Sequence, residues 1–302
     1  MNTPSTSSWP ASSSTDRSGW FVGIIGGSGL YDLALDEAQQ IAVMSPFGAP
    51  SGPVTLGRIG PVRVAFIARH GAGHRIPPEG INHRANIDVL KRCGVTDVVA
   101  ISAIGSLREE LAPGSFVAVD QFIDRTHGRA QSFFGEGLVA HLSMADPTCP
   151  RLSGHAADAA QAAGAIVHRG GCYLAMQGPQ FSTRAESRMY RQWGADVIGM
   201  TALPEARLAR EAELPYALLG MVTDYDSWRD GDHVDVADVV RVMAANAALA
   251  RDTVVRLATM LPPMREPSPI DTALTGAIMT APAHRDSALV ARLDAVAGRV
   301  LR

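Results

Sequence analysis

Asp224 and Asp226 stand one residue apart in TDYDSW, directly after the apolar run YALLGMV. In an extended strand both side chains leave on the same face, where they can act as acid and base, hold a cation, or hydrogen-bond the edge of a heterocycle. Capping the next helix is the structural use of the same residues. A second apolar run, VRVAFIA, empties into a basic loop, RHGAGHRIPPEGINHRAN. Arg69 there offers a fork for two anion oxygens and His70 a further donor; a solvated basic loop is the alternative. A third run, DVVAISAIGS, carries Ser102, Ala103, Gly105 and Ser106 near its end, small residues that let backbone amides approach a ligand closely. In MQGPQFSTRAE, Phe181 is a stacking face or a core residue, and Ser182 beside it a hydroxyl donor. The histidines His70, His74 and His83 lie in an irregular loop without a nearby Cys or carboxylate cluster, which is not a zinc pattern.

The stretch GIIGGSGLYD is the remaining candidate. A G-x-G-x-x-G fingerprint counted from Gly27 requires glycine where Asp32 stands, and Asp32, Asp36 and Glu37 come much sooner than about 20 residues on. The dinucleotide fingerprint is therefore broken. A strand-to-turn junction remains, whose backbone N–H groups and Ser28 hydroxyl suit a single phosphate.

These residues need strands that end together. Near-continuous apolar runs at 21–25, 62–68, 97–106, 115–119, 170–176, 195–199 and 215–223 predict strands covered on both faces. Helical patterns fall between and after them at 82–93, 151–163, 184–193, 202–212 and 236–260. The alternation predicts one α/β domain over 21–262, with a mixed, partly parallel central sheet surrounded by helices. Residues 1–20, rich in Ser, Thr and Pro, read as a disordered tail without the apolar core of a signal peptide. The Pro-rich break at 261–271 opens an extension over 263–302, whose DSALVARLDAVAGRVL reads as a terminal helix packed on the body or on a neighbouring subunit.

Formal net charge is −3, without the basic surplus that nucleic-acid binding calls for. No run of about 18 apolar residues predicts a membrane span. Three scattered cysteines form no disulfide framework, and a reducing cytoplasm is the expected compartment.

Taken together, GIIGGSGLYD, RHGAGHRIPPEGINHRAN, SAIGSLREELAPG, DQFIDRTHGRAQSFF, QGPQFSTRAESRMYRQWGADVIGMTALPEARLARE and TDYDSW resemble the trimeric purine nucleoside phosphorylase family, most closely its methylthioadenosine phosphorylase branch. The likeness runs over about residues 22–260, with a weaker match in TALTGAIMTAP. It implies a homotrimer, alone or paired as a dimer of trimers, that phosphorolyses 5′-methylthioadenosine to adenine and 5-methylthioribose 1-phosphate. It implies no metal or organic cofactor, inorganic phosphate being a co-substrate. Carried over by position, it places Ser28, Arg69, His70, Ser102, Ala103 and Thr201 on phosphate, Met200 under the ribose, and Phe181, Ser182, Asp224 and Asp226 at the purine. Asp224, when protonated, would assist purine departure at N7. His141, Val236, Val239 and, from an adjacent subunit, Met279 fall near the 5′-thiomethyl group. Members acting on 6-oxopurines carry Glu and Asn where this chain has Ser182 and Asp224, which favours 6-aminopurines. Gly199, where the methylthioadenosine branch carries Asn, points instead to a 6-oxopurine or methylthioinosine phosphorylase. A non-catalytic nucleotide-binding protein on the same fold is the reading from another class.

Overall fold

The long strand β5 (Asp97–Ser106) organises the molecule. In the computed structural model, which describes residues 18–27, 30, 33–229 and 236–301, the other strands are β1 (Phe21–Gly26), β2 (Asp36–Ile41), β3 (Val54–Ile59), β4 (Val62–Ala68), β6 (Phe116–Val119), β7 (Gln121–Arg125), β8 (Val167–Arg169), β9 (Cys172–Met176), β10 (Val197–Gly199) and β11 (Tyr216–Asp224). They form one mixed sheet in the order β2-β3-β4-β1-β5-β10-β9-β7, with β11 on the other edge of β5, followed by β6 and β8. Strands β4, β1, β5 and β11 run parallel at its centre. All six residues of β1 are buried, which explains an unbroken apolar run in place of alternation.

Helices complete both layers: α1 (His83–Arg92), α2 (Pro150–Ala162), α3 (Arg184–Gln192), α4 (Ala202–Glu211), α5 (Val236–Met260), α6 (Ser287–Arg292) and α7 (Gly298–Leu301). One core lies under α1 and α4, where Ile87, Leu90, Ala206 and Leu208 pack with Ile25, Ile67 and Leu218. A second lies under α2 and α5, where Ala156, Ala160, Val254 and Leu257 meet Ile24, Val99 and Leu219. The mixed α/β sheet between helices is thus the one the sequence predicts. Strands β2, β3, β7 and β8 were not predicted. β2 reads DEAQQI and alternates only weakly because it is a largely exposed edge.

The segment after the long helix closes over the first core, burying Leu274, Ala277, Leu293, Val296 and Ala297. The single terminal helix expected there is two short ones. Residues 293–297 turn between them, following the burial of Leu293, Val296 and Ala297 in preference to an uninterrupted helical stripe. Buried Arg265 fixes the start of this segment by bonding Asp97 at the foot of β5 and Asp271.

The sheet opens at one place. β1 pairs with β5 only as far as Gly26↔Ile101, and β10 takes over the same edge at Ile198↔Gly105, now antiparallel. On the opposite edge β11 continues alongside Ser102, Ala103 and Ile104. Among the described residues, these three lack a strand partner on the β1/β10 side, and the gap is a natural ligand position at a strand-order discontinuity. No described helix is long and apolar enough to cross a membrane.

Candidate active site

A cavity of about 520 Å³ occupies this fork. Of the residues expected at the site, it brings together Arg69, His70, Ser102, Ala103, Thr201, Met200, Phe181, Asp224, Asp226 and Val239. Ser28 lies outside the described residues. Ser182 is buried and does not line the cavity; it braces Asp226 from behind. Val236 is exposed on the first turn of α5 and does not reach the cavity, while Val239 and Met243 of the same helix do.

His141 and Met279 do not reach the cavity of their own chain either. They lie at the two ends of one short bridge elsewhere, because residues 139–141 pair with 277–279 through His141 N–H to the Ala277 carbonyl and Met279 N–H to the Val139 carbonyl. Met279 and Val139 are exposed there.

At the anionic end, Arg69 follows β4 and is 1% exposed. Its Nε and Nη2 donate to Oε2 and Oε1 of Glu205 at 2.9 and 3.0 Å, and Nη1 and Nη2 reach the carbonyls of Ile101 and Ile25. The guanidinium therefore sits at the end of β1, beside the middle of β5 where the β1 pairing stops. The fork expected to grip two anion oxygens is already closed on a carboxylate, leaving N–H capacity on Nη1. Glu205 was not foreseen: in ALPEARLARE it looks like an ordinary surface charge of an Ala-rich helix. It is fully buried, and the Arg69 guanidinium holds its carboxyl down to about 2 against the opposing pull of burial.

His70 differs from expectation in the same way. Its Nδ1 lies 2.8 Å from the Ile76 carbonyl, which only accepts, so Nδ1 carries the proton. Burial lowers the pKa of His70 to about 4, so at neutral pH the ring is uncharged and its other nitrogen is an acceptor. Ser102 and Thr201 bring their hydroxyls to 3.4 Å of each other across the fork. Thr201 precedes α4 without capping it through its side chain, so its hydroxyl is not committed to the helix.

At the other end, Asp224 closes β11. Its Oδ2 accepts from the Thr223 hydroxyl (2.7 Å) and its Oδ1 from the Asp226 amide (2.8 Å), while burial raises its pKa. The two carboxylates do not leave an extended strand side by side. The register shifts after Val222, and Asp226 has φ 49°, a left-handed conformation open to Asp, so the chain turns. Asp226 accepts from Ser182 (2.8 Å to Oδ2) and from the Ser187 hydroxyl, and is held as a brace. Ser187 is a second residue sequence reading missed; it lies on α3, whose start is fixed by the Thr183/Glu186 capping box. Gly105 leaves room for this arrangement, since a Cβ there would stand 3.0 Å from Asp224 Oδ1.

Gly199 has a packing cause. It pairs with Ala175 on β9, and a Cβ on it would overlap the hydroxyl of Tyr173, a fully buried β9 residue that accepts the Thr201 amide N–H. Glycine at 199 is therefore required by tyrosine at 173, while its backbone also lines the cavity.

The Phosphorylase superfamily model matches residues 21–259. The S-methyl-5'-thioadenosine phosphorylase of Bradyrhizobium diazoefficiens is 56% identical over 93% of this chain and 98% of its own length; that of Cereibacter sphaeroides is 55% identical over the same shares. Among solved structures, a methylthioadenosine phosphorylase from an antarctic soil metagenomic library superposes with TM-score 0.85 at 41% identity, covering 93% of this chain and 99% of that one. The Schistosoma mansoni methylthioadenosine phosphorylase, solved in complex with adenine, gives 0.75 at 36% identity, covering 80% and 91%. With its forked sheet and the polar groups gathered in the fork, this chain belongs to the phosphorylase superfamily and, within it, to the S-methyl-5'-thioadenosine phosphorylase family.

Proposed function

We propose that the protein phosphorolyses 5′-methylthioadenosine to adenine and 5-methylthioribose 1-phosphate, using inorganic phosphate and no metal or organic cofactor. The observation that carries the reading is the polarity of one cavity: a guanidinium and two hydroxyls at the β1/β5 fork, and a buried carboxyl of raised pKa at the end of β11.

Phosphate sits at the fork, taking hydrogen bonds from Ser102, Thr201 and Arg69 Nη1, and the family resemblance adds Ser28 as a further ligand. Neutral His70 complements these donors. With its Nδ1 proton given to Ile76, its second nitrogen suits the P–OH of hydrogen phosphate. The purine lies toward Asp224, against Phe181, with the ribose over Met200. In protonated form Asp224 donates to N7 while its carbonyl oxygen accepts from the 6-amino group, a pairing that a 6-oxo group replaces with two facing acceptors. Ser182 and Ser187 hold Asp226, whose amide in turn holds Asp224. As the N-glycosidic bond breaks, electrons move onto the purine, where the N7 hydrogen bond strengthens, and positive charge develops at C1′, where the phosphate oxygens face it. Fixing phosphate and sugar together contributes a proximity effect, which in well-oriented systems reaches about 7–11 kcal/mol.

The adjoining exposure of Val139 and Met279, with His141 beside them, supports a homotrimer in which this strip reaches the 5′-thiomethyl end of a neighbour's cavity. Val239, which lines the cavity from α5, would meet the same group from its own chain. Net charge and the absence of a membrane-length apolar helix among the described residues are in keeping with a cytoplasmic enzyme of small-molecule substrates. The base-reading role is tested by Asp224→Asn, which should lower kcat/KM for methylthioadenosine and move preference toward inosine. An unchanged preference would remove Asp224 from that role.

A further inference from the structure

Arg69 meets the cavity with one edge of its guanidinium, and the groups behind it decide which edge. Nε and Nη2 are closed on Glu205. The carboxylate is held in turn by the Tyr216 hydroxyl, which donates to Oε1 at 2.9 Å from β11. His83 of α1 stands 3.7 Å from Oε2, beyond hydrogen-bond reach, and burial lowers its pKa, so it brings no competing charge at neutral pH. Arg69, Glu205 and Tyr216 are all essentially inaccessible to water. A buried carboxylate is costly unless paired, and an isolated buried guanidinium equally so, so each fixes the other. Glu205 also lies in the first turn of α4, four residues after Thr201 and two after the non-helical Leu203. One turn of chain therefore presents the Thr201 hydroxyl to the fork and anchors Arg69 from below.

We propose that Glu205 is a positioning residue for phosphate. Its bidentate bond orients Arg69 so that Nη1 faces the fork, and couples that orientation to the turn carrying Thr201. The inference rests on the reading of Arg69 as a phosphate ligand. It also assigns a cost: because Glu205 balances the guanidinium charge, phosphate is held by directed hydrogen bonds more than by a net positive field.

The test uses the full chain and two readouts: inorganic phosphate binding by calorimetry without nucleoside, and steady-state KM values for phosphate and for methylthioadenosine. Glu205→Gln keeps the shape but turns an amide N–H₂ against the Arg69 donors. It should weaken phosphate binding and raise its KM at least tenfold, leaving the nucleoside KM within about twofold. Tyr216→Phe removes the third bond to Glu205 without touching Arg69 and should shift the phosphate KM two- to threefold in the same direction. Equal changes in both KM values, or an unchanged phosphate affinity in Glu205→Gln, would overturn the proposal. Should Glu205→Gln fail to fold, Tyr216→Phe decides, and no phosphate shift there overturns it. Arg69→Ala is the control for the underlying reading: unaltered phosphate binding in Arg69→Ala defeats that reading, whereas weakened binding there with none in Glu205→Gln defeats the positioning role alone.

Discussion

Gly199→Asn restores the residue that the methylthioadenosine branch carries, and it should be destructive here. The added Cβ would overlap the Tyr173 hydroxyl and stand 2.7 Å from its ring Cζ. Tyr173 is fully buried and has no route to solvent. Forcing extra atoms into a packed core costs about 1–3 kcal/mol. Displacing the hydroxyl also strands the Thr201 amide it accepts from, adding about 1 kcal/mol. A loss of roughly 2–4 kcal/mol follows, which in a chain of this size is a melting-temperature drop on the order of 3–6 °C. The assay is a double-mutant cycle by thermal and urea unfolding over Gly199→Asn, Tyr173→Val and the pair. Tyr173→Val vacates the space, so the double variant should be more stable than the sum of the singles predicts, by about 1–3 kcal/mol. Variants that fold should keep the preference of the wild type for a 6-aminopurine. Wild-type stability in Gly199→Asn, or additivity across the cycle, would refute the packing explanation. A swing away from inosine and toward methylthioadenosine in Gly199→Asn relative to wild type would return Gly199 to the list of specificity residues.

Other expectations follow from the same geometry. Arg69→Ala should raise the KM for phosphate far more than that for methylthioadenosine; equal changes contradict the assignment. Ser182→Ala removes one of two hydroxyl donors to Asp226, and should reduce kcat/KM about tenfold with little change in phosphate KM, measured by initial rates. Glu211 accepts from the Ser132 hydroxyl and the Phe133 amide, yet burial pushes its carboxyl up to about 7 from 4.5. A folded-state pKa above the unfolded one means the native chain binds the extra proton. The stabilisation is therefore full below about pH 4.5 and is lost as pH rises through about 7. Glu211→Gln should flatten the stability profile between those limits, as read from urea midpoints against pH; an unchanged slope would show that Glu211 is not its source.

How far the site could be read in the sequence depends on what each residue answers to. Arg69 follows a long apolar run and Asp224 ends another, and strands of one sheet bring such ends together; their convergence was legible, whereas Ser102 lies in the middle of β5 and opens on the site because β1 stops beside it. Glu205 was not, because a helix written ALPEARLARE gives no sign of which face meets a buried arginine 136 residues earlier. Gly199 was misleading for a related reason: its cause, Tyr173, sits on the neighbouring strand and is visible only once β9 and β10 pair. The Asp224/Asp226 spacing suggested a shared face, but the turn at Asp226 commits its carboxylate to Ser182 and Ser187 and its amide N–H to Asp224. Edge strands such as β2 escaped notice because polar residues suffice where one side is open to water.

The central claim is that this cavity joins phosphate to the methylthioribosyl group as adenine departs. The most direct measurement is adenine release from methylthioadenosine by the wild-type chain with and without inorganic phosphate, with inosine in parallel and the sugar product identified by mass. The account predicts release only with phosphate, stoichiometric 5-methylthioribose 1-phosphate, and a kcat/KM for methylthioadenosine well above that for inosine. Release without phosphate, or inosine as the better substrate, would contradict it.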